Sequence, residues 1–116
     1  MLQNDVSRLA VLAKHIQDLD ELVSQLLKGL PKMTPWHRRI ASHLADAERQ
    51  LQVLRMTVSM DKPVGEIWNA GHQLARTCRF AAVSLAGTRA DATTRAAVLL
   101  AADLAERIGR ALTEIV

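Results

Sequence analysis

Apolar residues recur at alternating steps of three and four in four separate segments of similar length. Such spacing places an apolar stripe along one side of an α-helix and does not fit the two-residue alternation of a β-strand. The chain is therefore predicted to be all-α. By segment, the stripe residues are Leu9, Leu12, Ile16, Leu19, Val23, Leu26 and Leu30; Ile40, Leu44, Ala47, Leu51, Leu54 and Val58; Ile67, Gly71, Leu74, Cys78, Ala81 and Leu85; and Ala97, Ala101, Leu104, Ile108, Ala111 and Ile115.

Residues that favour helix ends separate the four segments. They are Gly29, Thr34 and Pro35 at the first connection, Asp61 and Pro63 at the second, and Gly87, Thr88 and Asp91 at the third. Helices are predicted over about 4–29, 35–60, 63–86 and 91–115. Because the lengths match and the connections are short, we expect an antiparallel, up-down-up-down four-helix bundle that forms one domain over residues 1–116.

The stripes differ in the size of their side chains. The first two segments are rich in Leu, whereas the last two carry Gly71, Cys78 and several Ala. Small residues let helix backbones approach, so the third and fourth helices should pack more closely than the first and second. Flanking residues such as Trp68, Val98 and Leu112 are expected to widen the buried stripes. Cys78, which has apolar neighbours on its stripe, is expected to be a small core residue.

Composition and motifs favour a protein without chemistry of its own. The 116 residues are 49% hydrophobic and 23% charged, which is typical of a globular domain. No Glu-x-x-His pair of the carboxylate-metal type and no Gly-rich phosphate loop occurs, so we expect no metal, no organic cofactor and no enzymatic activity. A single cysteine and a longest apolar run of seven residues, Ala96 to Ala102, favour a soluble cytoplasmic protein without a membrane span.

Two short patterns resemble parts of known helical families. Arg38 and His43 have the approximate spacing of the Arg and His in HEPN-type RNases, but they lie early in the bundle and not late. His72, followed by Leu74, is similar to the exposed histidine of histidine phosphotransfer domains. The Lys and Gly that follow in that family are replaced by Ala75 and Arg76. A phosphotransfer protein or an RNase is kept as an alternative, and surface histidines are the simpler interpretation.

The helical register leaves six large apolar residues outside the predicted stripes. They are Val53, Met56 and Met60 on the second helix, and Phe80, Val83 and Leu99 on the third and fourth. Grouped apolar residues on an outer face are typical of contact surfaces. We therefore predict a protein-binding module, such as an adaptor, a chaperone-like cofactor or a regulatory subunit, which self-associates as a dimer through the outer faces of the third and fourth helices.

The same topology collects arginines at one end of the bundle, where the first and third helices end and the second and fourth begin. The formal net charge is +3. Together with two helix N-termini, these arginines form a candidate anion-binding pole, which makes a polyanion or nucleic-acid binder the other alternative. Few exposed aromatics lie near them, so nucleic acid is not the favoured partner. The arginines are Arg38, Arg39, Arg79, Arg89 and Arg95.

Overall fold

Four α-helices make up the computed structural model, which describes residues 2–31 and 33–115, with side chains over 8–31 and 33–114. Every boundary lies within two residues of its predicted position, and the described residues contain no strand. The all-α, four-helix prediction is confirmed. The helices are α1 (Leu2–Gly29), α2 (Pro35–Ser59), α3 (Val64–Ser84) and α4 (Ala92–Ile115).

The helices form a closed ring of four. Each packs against its neighbours in the chain, and α4 packs back on α1, while the described parts of α1 and α3, and of α2 and α4, lie diagonally opposite with no Cα atoms within 8 Å of each other. The bundle measures 49 × 21 × 21 Å. Polar contacts between α1 and α2 join Ser24 to Glu48 and Asp20 to Arg55. Residue numbers fall along one helix as they rise along the other, the order that oppositely directed neighbours give.

Helix ends follow the capping chemistry at two of the three connections. The Thr34 hydroxyl accepts from the His37 N–H, and Pro35 is the first residue of α2. The Asp91 carboxylate accepts from the Thr94 N–H at 3.2 Å and caps α4. At the second connection the prediction for Asp61 is wrong. Asp61 adopts a left-handed φ of 52° just past the end of α2 and does not cap α3, which begins after Pro63 without a side-chain cap.

The core largely follows the predicted stripes, with corrections at Leu9 and along α4, and with Leu26, Val58 and Ile67 only half-buried against it. Leu9 is 47% exposed and lies outside the core. On α4 the buried residues are Val98, Ala101, Leu104, Ala105, Ile108 and Leu112, whereas the predicted Ala97 and Ala111 are only half-buried and Ile115 lies outside the described side chains. The buried side of α4 is therefore rotated from the predicted stripe, onto residues that the sequence placed at its flank.

Gly71 makes room for Leu112, one of the buried residues on this rotated side of α4. A Cβ at this position would overlap Leu112 Cδ1, so Leu112 occupies the space that the missing side chain leaves on α3. Among the described residues the contact between α3 and α4 is more extensive than that between α1 and α2, which is the least extensive of the four, while α2 and α3 are in contact at least as extensively as α3 and α4. The order of these two pairs agrees with the expectation that the third and fourth helices approach more closely than the first and second.

Candidate functional site

All six apolar residues predicted to lie outside the core are exposed. Their exposed fractions range from 48% at Phe80 to 65% at Val83, and no described helix of the chain covers them. The helical register is thus confirmed at these positions, while their role in binding a partner stays a prediction. The other four are Leu99 on α4, Val53 and Met56 on α2, and Met60 directly after the end of α2.

Phe80, Val83 and Leu99 lie toward the end of the bundle where α3 ends and α4 begins. The Arg76 guanidinium carbon stands 5.4 Å from the centroid of the Phe80 ring, within range of a cation–π interaction. Arg76 is one turn before Phe80 on the same outer face and is itself exposed. The apolar group on α3 therefore carries a positive charge beside it.

Val53, Met56 and Met60 lie at the opposite end of the bundle, where Val64 joins them. Val64 is 49% exposed at the start of α3, and the sequence analysis missed it because it lies next to a predicted cap. Methionine side chains adapt to irregular surfaces, which suits a contact face. The two apolar groups therefore occupy opposite ends of the surface that α2 and α3 share.

An open groove of about 440 Å³ runs between α2 and α3 beside Val53. Its lining includes the amides of Gln50, Asn69 and Gln73 and the carboxylate of Glu66. The Gln50 Oε1 atom is buried and finds no hydrogen-bond partner among the described residues. A buried acceptor of this kind favours a donor group brought by another molecule or by solvent.

A second groove, of about 410 Å³, separates the outer parts of α3 and α4. Trp68, expected to widen the core stripe, is 41% exposed there and stacks on His72 with ring centroids 4.8 Å apart. Glu106 lies 3.7 Å from Arg79 and 3.6 Å from Arg110. All three of these charged side chains are well exposed, so the ion pairs contribute little to stability.

The five predicted anion-binding arginines do not act as one cluster. Arg38, Arg39 and Arg89 lie at the expected pole, are exposed and form no ion pair within the described chain. Arg79 instead pairs with Glu106, more than a turn before the end of α3. A smaller arginine group therefore remains at the pole than the sequence predicts.

Arg95 stabilises the α3–α4 connection through hydrogen bonds to its backbone. Its half-buried guanidinium donates to the carbonyl oxygens of Thr88 at 2.7 Å, Ala90 at 3.2 Å and Leu85 at 3.3 Å. These carbonyls follow the end of α3, and that of Leu85 also accepts from the N–H and hydroxyl of Thr88. Each of the three guanidinium nitrogens of Arg95 donates one hydrogen bond inside the protein, so Arg95 is not a free member of the arginine group at the pole.

Arg95→Met is expected to lower the free energy of unfolding by about 1–3 kcal/mol, because it leaves carbonyls without their charged donor. Urea denaturation followed by circular dichroism measures the change. Arg89→Met, at an exposed arginine of the same connection, is the matched control and should stay within about 0.5 kcal/mol of the unchanged protein. Equal effects of the two substitutions would contradict the role assigned to Arg95.

The residues of the two resemblances are distributed as follows. His72 is exposed on α3, with one ring face stacked on Trp68. Arg38 is exposed and His43 half-buried on α2, and neither hydrogen bond nor ion pair joins them in the described chain. Cys78 is buried, and desolvation raises its thiol pKa to about 12, as fits a core residue and not a nucleophile.

Among residues 2–31 and 33–115, no group of three or more His, Cys, Asp or Glu side chains is arranged to hold a metal ion. None of the described helices combines the length and the apolar character that crossing a bilayer requires. Comparison of the chain with protein-family models, with curated proteins and with solved structures gives no match.

Proposed function

We propose that this protein is a binding module that acts through contact with another protein and, most simply, through pairing with a second copy of itself. The observation that carries the proposal is the exposure of large apolar side chains in groups on α2, α3 and α4. Scattered apolar residues are ordinary on protein surfaces, but grouped ones favour an interface. The adaptor, chaperone-like and regulatory roles predicted from the sequence all require such a surface.

The small number of apolar side chains in each group determines how much surface a stable dimer has to bury. Complete burial of a Val, Leu, Phe or Met side chain contributes roughly 1.5–3 kcal/mol. Association costs several kcal/mol in lost translational and rotational freedom, so Phe80, Val83 and Leu99 alone cannot hold a tight dimer. The proposal therefore includes the second group, Val53 and its methionine neighbours, in the binding surface.

Phe80→Asp is expected to shift the protein from dimer to monomer with nearly unchanged helicity, because Phe80 is exposed in the single chain and would be buried on association. Light scattering on a sizing column at micromolar concentration measures the mass against the 12.8 kDa of one chain. Circular dichroism of the same fractions measures the helicity.

Val83→Asp and Val11→Asp make a matched pair for this experiment. Both valines are exposed, but Val11 lies on α1, diagonally across the bundle from α3. Val83→Asp should lower the apparent mass, and Val11→Asp should not. A monomer mass for the unmodified protein across the concentration range, or equal effects of the two substitutions, would contradict self-association through this surface.

Polyanion binding is the alternative, and it finds support in the unpaired Arg38, Arg39 and Arg89. Two observations weaken the case for polyanion binding. Arg95 is engaged internally, and the Asp91 carboxylate occupies the N-terminus of α4, where hydrogen bonds from Thr94 lower its pKa. Salt separates the two functions, since contact through apolar side chains persists at ionic strengths that abolish binding through exposed arginines.

A further inference from the structure

The outer face of α3 carries a second heptad-like stripe, opposite the one that faces the core. Its steps are three, four, three, four and three, which is the spacing that lets one helix pack along another. All of its members are exposed, and no other helix of the described chain covers them. From the start of the helix, they are Glu66, Asn69, Gln73, Arg76, Phe80 and Val83.

This outer stripe carries a negative charge near its start and a positive charge farther along. Glu66, in the first turn of α3, and Arg76, ten residues later, form no ion pair in the part of the chain that the structure describes, whereas Arg79 pairs with Glu106. At 1.5 Å per residue the two charges are about 15 Å apart along the helix. Only amide side chains lie between them on the stripe, and the apolar group begins beyond Arg76.

We propose that a second copy of the chain lies antiparallel across this stripe, with Glu66 of each copy beside Arg76 of the other. The inference rests on the proposed self-association and adds its orientation. A half-turn about an axis that passes between the two α3 helices, level with the midpoint between Glu66 and Arg76, relates the copies, so both ion pairs form at once. Such isologous pairing closes the dimer and leaves no further copy to add.

The register set by these ion pairs also brings the apolar groups together. Phe80 lies four residues beyond Arg76. Along the helix axis it therefore lies about 6 Å past the level of Glu66 in the second copy. That position is the start of α3 and the end of α2 in the second copy, where Val64 and Met60 are exposed. Each end of the contact therefore buries one aromatic ring against the methionine-containing group.

The centre of the contact is polar, and its amide groups can form hydrogen bonds with one another. Asn69 of one copy faces Gln73 of the other, and each amide offers both donors and an acceptor. The buried Oε1 of Gln50, which has no partner within the described chain, lies in the same groove as these two amides. The antiparallel arrangement adds the amide groups of the second copy to the mouth of this groove.

Charge reversal in separate proteins tests the orientation. Arg76→Glu places four carboxylates in two like-charged pairs, and Glu66→Arg places four arginines there, so each variant alone should dimerise on the order of tenfold more weakly or worse. An equimolar mixture of the two restores both opposite-charge pairs and should recover the dimer as a heterodimer. Native mass spectrometry separates the three possible dimers by mass.

Lys14→Glu, which reverses a charge on α1, is the control and should dimerise like the unmodified protein. Arg76→Gln and Glu66→Gln remove charge without repulsion and should weaken the dimer less than the reversals, which separates the ion pairs from any folding defect. If the unmodified protein dimerises but both reversals leave its affinity unchanged, or their mixture gives no heterodimer, the orientation is overturned and self-association stands. If the unmodified protein is a monomer, both proposals fail.

Discussion

Leu51→Ala is expected to lower the free energy of unfolding by roughly 2–5 kcal/mol. Leu51 is completely buried near the middle of α2, and truncation leaves a cavity that its tightly packed neighbours cannot fill. A domain of this size has about 5–15 kcal/mol of stability in total, so the loss is a large fraction of it. Urea denaturation followed by circular dichroism at 222 nm should show an earlier midpoint with an unchanged slope.

Leu104→Ala removes the same atoms from a different environment and provides the comparison. Leu104 is 9% exposed and borders an open groove between α1 and α4, where it lies near Leu22 and Leu100. Water can enter the space left by truncation there, so the loss of stability should be smaller than at Leu51. An equal or greater loss at Leu104 would show that the groove is closed in solution.

Gly71→Leu is expected to cost about 3 kcal/mol, the upper part of the range for overfilled cores. Already the first side-chain carbon at this position overlaps Leu112 Cδ1, and Leu112 is itself buried between α3 and α4. The two helices must separate or Leu112 must leave its rotamer. The unfolding midpoint in urea measures the cost.

Two companion variants decide whether Leu112 is the cause. Leu112→Ala removes the obstructing atoms, so combining it with Gly71→Leu should cost less than the sum of the separate changes, by about 0.5–3 kcal/mol. Gly109→Leu is the control, because a Cβ at Gly109 meets nothing within 4 Å and leucine is the better helix former. A stability loss at Gly109 as large as at Gly71, or strict additivity with Leu112→Ala, would contradict this explanation.

The sequence predicts α2 better than α4, for a physical reason. On α2 polar residues flank the stripe from Ile40 to Leu54, so only one side of the helix can be buried. On α4 the run from 96 to 102 is apolar all around, and the spacing does not decide which side faces inward. The buried side includes Leu112, which fills the space beside Gly71 on another helix, and such a contact cannot be read from the spacing within α4.

The candidate surface also combines features that one helix determines alone with features that depend on other parts of the chain. Exposure of Phe80 and Met56 follows from helical periodicity within one segment, and these predictions are confirmed as exposure. The engagement of Arg95 depends on where the carbonyls after α3 come to lie, up to ten residues away along the chain. The exposure of Trp68 depends on the groove that α3 and α4 form together, which no pattern within a single helix reveals.

Because Cys78 is buried, it should not compete with an introduced surface cysteine for thiol-reactive labels. Burial raises the pKa of the Cys78 thiol to about 12, so the reactive thiolate is scarce near neutral pH, and the sulfur lies inside the ring of helices. A cysteine introduced on the surface would carry a spin label or fluorophore alone, without removal of the native residue. Label-to-label distances between two copies can therefore be measured on a bundle whose interior is unchanged.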